Sequence, residues 1–213
     1  MTKIVYKGGC GEVIAKKSRF IATVYGIESE EQAKEYIEDA KKKYWDASHN
    51  CYAYIIGGTQ EVSRFSDDKE PGGTAGKPIL EVLQKNDMVD VLVIVTRYFG
   101  GTLLGTGGLI RAYTQVTKEG LIHACVVERK DGWMLELQLE YTDLGRVQYE
   151  LGERKIPIYS SQYVDQVSLK LLVDEEEVKS LKKSIPDITG GRTSITEVQK
   201  CAFGDFDGER KML

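Results

Sequence analysis

Residues 96–113 read T-R-Y-F-G-G-T-L-L-G-T-G-G-L-I-R-A-Y and hold the groups best suited to gripping an anion. Gly100, Gly101, Gly105, Gly107 and Gly108 let backbone turn tightly or approach a ligand closely. Thr106-Gly107-Gly108 opens a predicted helix over residues 106–123, and free amides at a helix start attract anions. Arg111 lies one turn into that helix, where side chains lean back toward the N-terminus, so it is expected to point at the same spot. Arg97 ends a buried strand and approaches from the other side. Ligands commonly bind outside such strand ends in open α/β sheets. Two arginines and a ring of amides suit phosphate. The competing expectation is that the glycines only make turns and that both arginines pair with Asp67, Asp68 or Glu70. Two familiar phosphate loops are excluded. A Walker loop would need glycine where Pro71 stands and Ser or Thr where Pro78 stands, and a dinucleotide fingerprint begun at Gly105 would need glycine at Ile110.

Residues 65–78, F-S-D-D-K-E-P-G-G-T-A-G-K-P, make a second constellation. Asp67 and Asp68 could hold magnesium with the help of phosphate oxygens, or could form a solvated turn that pairs with nearby bases. The spacing fixes no third acidic ligand, which favours the turn. His49-x-Cys51 and His123-x-Cys125 each place two chemically able side chains on one face if extended. One pair could supply a nucleophile and base, and both together four metal ligands. Buried cysteines and satisfied histidines are commoner, and with two histidines and no evident partner there is no Ser-His-Asp site.

Positioning these residues requires a particular set of elements. Residues 20–27 read as a strand, followed by a helix that Ser29 and Gln32 open as a capping box. Ala33, Tyr36, Ile37, Ala40 and Tyr44 form its apolar face. Residues 51–56 are a strand ending at Gly57-Gly58, paired with residues 62–66. Pro78 fits the first turn of a helix that turns Ile79, Val82 and Leu83 inward. Residues 91–95 are uniformly aliphatic, so their strand should be buried on both sides. Leu109, Tyr113, Val116 and Gly120 mark the inner face of the helix after the glycine loop.

Beyond a polar stretch at residues 128–132 the pattern changes to β-α-β-β-α-β, which divides the chain into domains 1–130 and 131–213. Leu135, Leu137, Leu139 and Tyr141 alternate with polar residues, as in a half-buried strand. Asp143 is placed to cap a helix bearing Leu144, Val147 and Leu151. Strands follow near residues 156–163 and 166–173. Asp174, with Glu177, is placed to cap a helix bearing Val178, Leu181 and Ile185, with glutamates at its start, lysines near its end and Pro186 as its stop. The last strand is residues 193–200, where Ile195 and Val198 break the alternation. This order predicts a ferredoxin-like split βαβ sandwich whose uncovered sheet face could bind RNA or protein, or pack on the first domain.

Composition sets the outer limits. The 213 residues are 41% hydrophobic and 29% charged, with net charge −4, which excludes wholesale disorder and a polybasic tail but not a local basic site. Four scattered cysteines without a C-x-x-C pair argue against a disulfide scaffold or zinc ribbon and fit a reducing cytosol. The start lacks a signal-peptide core, and no apolar run approaches a membrane span.

The motifs S-H-N-C-Y-A-Y, F-S-D-D-K-E-P-G-G-T-A-G-K-P-I-L and V-T-R-Y-F-G-G-T-L-L-G-T-G-G-L-I-R-A-Y closely resemble the IMPACT family from about Ser18 to Cys125. The second half is similar to the small C-terminal domain of bacterial members. The resemblance implies an α+β protein. Its first domain would have the left-handed βαβ arrangement of a ribosomal protein and of elongation factor G domain IV. Its second would be ferredoxin-like, as in domain V of that factor. It also implies a link to translation, because eukaryotic members restrain the amino-acid-starvation kinase. Those members carry an N-terminal RWD domain for which there is no room before Ser18, so the kinase role is not expected here. No family-wide catalytic residue is established. Lys69, Gly73 and Lys77 stand where the family usually has glycine, serine and arginine, and Thr102-Leu103 replaces isoleucine-lysine.

The resulting expectation is a cytosolic, translation-associated protein that binds RNA, the ribosome or a translation factor, with no cofactor and no membrane partner. Its contact surface would comprise Arg64, Lys77, Arg97 and Arg111, with backbone donors from Gly100, Gly101, Gly105, Thr106, Gly107 and Gly108. One rival is an enzyme acting on a phosphorylated small molecule, with Asp67 and Asp68 positioning a metal. Another is an acidic adaptor for basic protein factors.

Overall fold

The computed structural model of the chain describes residues 2–57, 61–206 and 208–213, in two units, Met1–Val127 and Glu128–Leu213. The first unit runs β1 (Lys3–Lys7), β2 (Gly9–Ala15), β3 (Ser18–Gly26), α1 (Glu30–Lys43), β4 (His49–Ile56), β5 (Val62–Ser66), α2 (Gly76–Lys85), β6 (Val91–Tyr98), α3 (Thr106–Ile122) and β7 (Cys125–Glu128). Gly58, expected with Gly57 to end β4, lies outside the described residues.

The main sheet has the order β2-β3-β6-β4-β5, with every neighbouring pair antiparallel. β6 is central because both of its faces are aliphatic. Val91, Val93 and Val95 enter the core beneath α2 and α3, while Leu92 and Ile94 enter the one beneath α1. Burial on both sides is as expected. The sheet is not parallel, however, so the rule that ligands gather at parallel strand ends does not govern it. β1 and β7 form a separate two-stranded ribbon. Neither they nor β2 are legible in the sequence, since glycines interrupt residues 8–11 where a strand would be read.

The helices form where the apolar spacing puts them. Ser29 Oγ accepts the Gln32 N–H at 3.2 Å, and Gln32 Oε1 accepts the Glu28 N–H at 2.7 Å, one residue before the expected partner. α3 buries Leu109, Tyr113, Val116 and Gly120. It can lie close on β2 because Gly11 faces Gly120, where a Cβ on Gly11 would collide with the helix backbone.

The second unit runs β8 (Lys130–Leu139), a 3-10 turn (Tyr141–Asp143), α4 (Leu144–Glu153), β9 (Ile158–Tyr163), β10 (Val167–Asp174), α5 (Glu175–Thr189), β11 (Ser194–Phe206) and β12 (Glu209–Met212). Its antiparallel sheet has the order β12-β11-β8-β10-β9. The unit's first and third strands are therefore central, as a split βαβ unit requires. Leu135, Leu137 and Leu139 pack with Val147, Leu151, Val178, Leu181 and Ile185.

Several local expectations are corrected here. Asp143 and Asp174 precede their helices but make no side-chain cap. Asp143 instead accepts two hydrogen bonds from Arg192, at 2.7 and 2.8 Å, and Asp174 accepts one from Arg210 at 2.9 Å. Pro186 does not stop α5, which continues to Thr189 and ends at Gly190 with φ +61°. Burial of Ile185 and Thr189 holds that extra turn, and the Pro186 carbonyl accepts the N–H groups of Gly190 and Gly191. The last turn consequently has no basic residue. β11 extends well past Lys200, and Val198 sits at a register shift between Glu197 and Gln199, which explains the broken alternation. β12 then follows. Its Arg210 donates to the Leu172 carbonyl at 2.6 Å and stacks 5.0 Å from the Phe203 ring, and Phe203 packs with Met134 and Leu172. Part of the sheet face opposite the helices is thus covered from within the unit.

Candidate functional site

Residues 65–78 fold into a closed polar web. Asp67 accepts the N–H groups of Gly73, Ala75 and Gly76 at 2.8, 3.0 and 2.8 Å, so it caps α2 from nine residues upstream of Gly76. Asp68 accepts the Asn50 N–H at 2.6 Å through its carboxylate and contacts His49 Nδ1 at 2.8 Å through its carbonyl. Both carboxylates are engaged by amides, so the turn that the spacing favoured is held by backbone N–H groups rather than by nearby bases. Among the described residues no cluster of three or more His, Cys, Asp or Glu side chains could hold a metal ion.

Arg97 belongs to this web. Its side chain is 6% exposed, and Nη1 donates to Glu70 Oε1 at 2.6 Å. The same oxygen accepts the Tyr113 hydroxyl at 2.8 Å. The guanidinium lies 5.3 Å from the Phe20 ring and 5.6 Å from the Phe99 ring. Arg97 is therefore a buried, neutralised arginine rather than the exposed phosphate contact expected of it, and the competing expectation of pairing with Glu70 holds. Burial pushes the Tyr113 phenol far up, so it stays a donor. Burial likewise pushes up the Cys51 thiol, which sits 3.0 Å from the Asp67 carbonyl. A thiol held so far from its thiolate is a poor nucleophile. His123 bonds the Glu119 carbonyl at the far end of α3, so the two His–Cys pairs do not meet. Cys51 contacts the Tyr113 hydroxyl at 3.4 Å, and Tyr113 lies about 15 Å of helix before His123.

Arg111 behaves as its helical position predicts. It is exposed, and its Nη1 lies 3.8 Å from where a Cβ on Gly107 would sit, so it leans back over the start of α3. That start is open. Gly105 supplies no side-chain cap, and the first turn has no acidic residue. In the same unit Ser29 caps α1 and Asp67 caps α2. The adjoining loop exposes Phe99, Gly101, Leu103 and Gly105.

The remaining expected contacts are dispersed. Arg64 stands in register with Tyr54, whose side chain packs beneath α1, so it lies on the other face of the sheet, with Nε 3.8 Å from Glu30. Lys77 is exposed in the first turn of α2. In their place come two lysines that the sequence motifs do not single out. Lys16 and Lys17 form the turn between β2 and β3, and Lys16 Nζ reaches the Leu103 carbonyl at 3.4 Å. The turn presses on the glycine loop, because a Cβ on Gly100 would collide with the Lys17 carbonyl group. Both lysines have positive φ, +43° and +67°, where glycine or asparagine is favoured. Trp45 is 82% exposed in a segment held to the same end of β6 by Asp46–Tyr98 and Ser48–Phe99 hydrogen bonds.

The chain matches the family model of the Impact N-terminal domain over residues 16–121 and that of a domain of unknown function, DUF1949, over residues 137–192. It is 41% identical to the IMPACT family member YvyE of Bacillus subtilis over 193 residues, 91% of this chain and 89% of that protein. It is 32% identical to the IMPACT family member YigZ of Escherichia coli, covering 87% of this chain and 92% of that protein. A crystal structure described as that of a hypothetical protein is similar at TM-score 0.58 and 30% identity, over 93% of this chain and 97% of that one. With likeness of this extent across both units, the chain belongs to the IMPACT family.

Proposed function

We propose that this protein acts on translation by binding RNA with the exposed end of its first unit, where α3 begins. The observation that carries this reading is the uncapped start of α3 under the Arg111 guanidinium, beside Lys16 and Lys17. Exposed cations and free amides suit a phosphate backbone, and exposed Phe99 and Trp45 offer faces for unpaired bases. Two lysines in a strained turn also fit, because strain is retained where it serves a site. The link to translation rests on family membership and on what the resemblance implies, including the likeness to elongation factor G domains. Phosphate contacts position a nucleic acid without reading it, so sequence preference should be weak.

Co-sedimentation with ribosomes and binding to an unstructured oligoribonucleotide test the reading. The Lys16→Ala, Lys17→Ala, Arg111→Ala triple variant should lose both while keeping its thermal transition. Unchanged binding by the triple variant would falsify it. Arg97→Ala is a poor probe, since it strands Glu70 in the interior.

A further inference from the structure

The two five-stranded sheets have four edge strands, and three of them carry charge. β2 has Glu12, β5 has Arg64, and β12 has Glu209, Arg210 and Lys211. Charge on an edge discourages pairing with another chain. β9 reads I-Y-S-S-Q-Y and carries neither charge nor proline. Every residue from Tyr159 to Tyr163 is exposed, and Val164 just beyond them is 73% exposed. The strand's one irregularity is a register shift that leaves Tyr159 without a partner on β10, so residues 160–163 keep regular register. The direction of the edge groups follows from the hairpin end. There the Val164 N–H donates to the Gln166 carbonyl at 3.2 Å. Bonded and unbonded positions alternate along an antiparallel pair. Counting back, Gln162 and Ser160 bond β10, while Tyr163 and Ser161 turn their N–H and C=O groups outward. Opposite Ser161 and Tyr163 on β10 stand Leu169 and Val167, both in the core beneath the helices. The Ser161 and Tyr163 side chains therefore share the helix-bearing face, and Gln162 projects from the other one.

We propose that β9 pairs antiparallel with β9 of a second copy of this chain, about a two-fold axis through Gln162. Tyr163 of each copy then stands opposite Ser161 of the other, and the outward N–H and C=O groups of both residues are exchanged between the copies. The two five-stranded sheets join into one of ten, with the helices of both copies on the same face. A second copy is the occupant that fits because the strand matches itself. No charge is set against its like. The small Ser161 leaves room for the Tyr163 ring across from it. Gln162 meets Gln162 of the second copy at a non-hydrogen-bonded position, where side chains lie closest, and a primary amide both donates and accepts. The contact is short, so the dimer belongs to the weak, transient class. The inference does not require the RNA reading above.

Sedimentation velocity on the full chain tests it. The sedimentation coefficient should rise with concentration between roughly 10 μM and 1 mM, the range of a weak interface. Ser161→Pro removes an N–H that β10 does not use, and an edge strand accepts proline at such a position. This variant should keep its thermal transition and dimerise at least about tenfold more weakly. Ser161→Lys gives β9 the charge that the other three edges carry and should also weaken the dimer, which covers a proline variant that does not fold. Cross-linking reads the register. A Cys10→Ser, Cys125→Ser background removes the exposed native thiols. In it Gln162→Cys should form an oxidised dimer, because its Cα atoms lie about 4.5 Å apart across the axis. Ser161→Cys should not, because a stagger of two residues sets its Cα atoms about 8 Å apart. A native chain still monomeric at about 1 mM, a dimer that neither Ser161 variant weakens, or cross-linking of Ser161→Cys as readily as Gln162→Cys would each overturn the inference.

Discussion

Residues 65–78 and residues 96–111 are both rich in glycine and charge, yet the fold treats them oppositely. In the first segment Asp67, Asp68 and Glu70 are consumed by amides, by Asn50 and by Arg97 and Tyr113. In the second, the helix start that follows the loop is left without a cap, and Arg111 leans over it with no ion pair among the described residues. The carboxylates of the first segment, together with Arg97 from the second, hold the unit together, and Arg111 remains available to a partner. A dense motif therefore says that backbone and charge are constrained, and only its unspent groups say where a ligand belongs.

The largest effect should come from breaking the closed segment. Glu70→Ala leaves Arg97 buried without its counter-charge, and a loss of about 3–5 kcal/mol is expected in denaturant unfolding of the first unit. A loss below 1 kcal/mol would mean that Arg97 escapes to solvent and that the two segments differ less than described. Next is Gly100→Ala. Its methyl would strike the Lys17 carbonyl where the lysine turn meets the loop, and overpacking against backbone should cost about 2–3 kcal/mol by the same measurement.

The second unit offers a parallel case in Asp143 and Arg192. The Arg192 guanidinium holds the Asp143 carboxyl below its ordinary value. The folded pKa thus lies under the unfolded one, so the stabilisation is fully present above about pH 4 and is lost as pH falls through the folded value. Trp133 fluorescence in a Trp45→Phe background should show acid unfolding that becomes shallower in Arg192→Gln. Identical acid profiles would remove this pair from the comparison. The smallest effect is expected in the open segment. Gly107→Ala meets nothing nearer than Arg111 and sits in a helix, so it should stabilise the chain by about 0.5 kcal/mol in thermal unfolding.

Much of this architecture was legible in the residues. The aliphatic run of β6 announced a central strand, the spacing of Leu109, Tyr113, Val116 and Gly120 gave the buried face of α3, and Ser29 with Gln32 marked the start of α1. What escaped depended on long-range neighbours. No local pattern shows that Asp67 will cap α2, or decides among Asp67, Asp68 and Glu70 as the partner of Arg97 twenty-seven residues beyond Glu70. Pro186 was tolerated because buried neighbours and the αL glycine after it fixed the last turn of α5. Nothing in the local sequence marks Lys16 and Lys17, because it is the β2–β3 pairing that brings their turn against Gly100. Arg111 could be placed because helix geometry is local, whereas Arg97 could not, because its partner lies on another element.

The most direct test is the salt dependence of binding to a 5′-hydroxyl oligoribonucleotide, followed by fluorescence anisotropy. The native chain should lose affinity linearly in log salt, and the Lys16→Ala, Lys17→Ala, Arg111→Ala variant should lower that slope by about 3, roughly one for each phosphate contact removed. A slope unchanged by the triple variant would contradict the assignment of this end of the molecule to RNA.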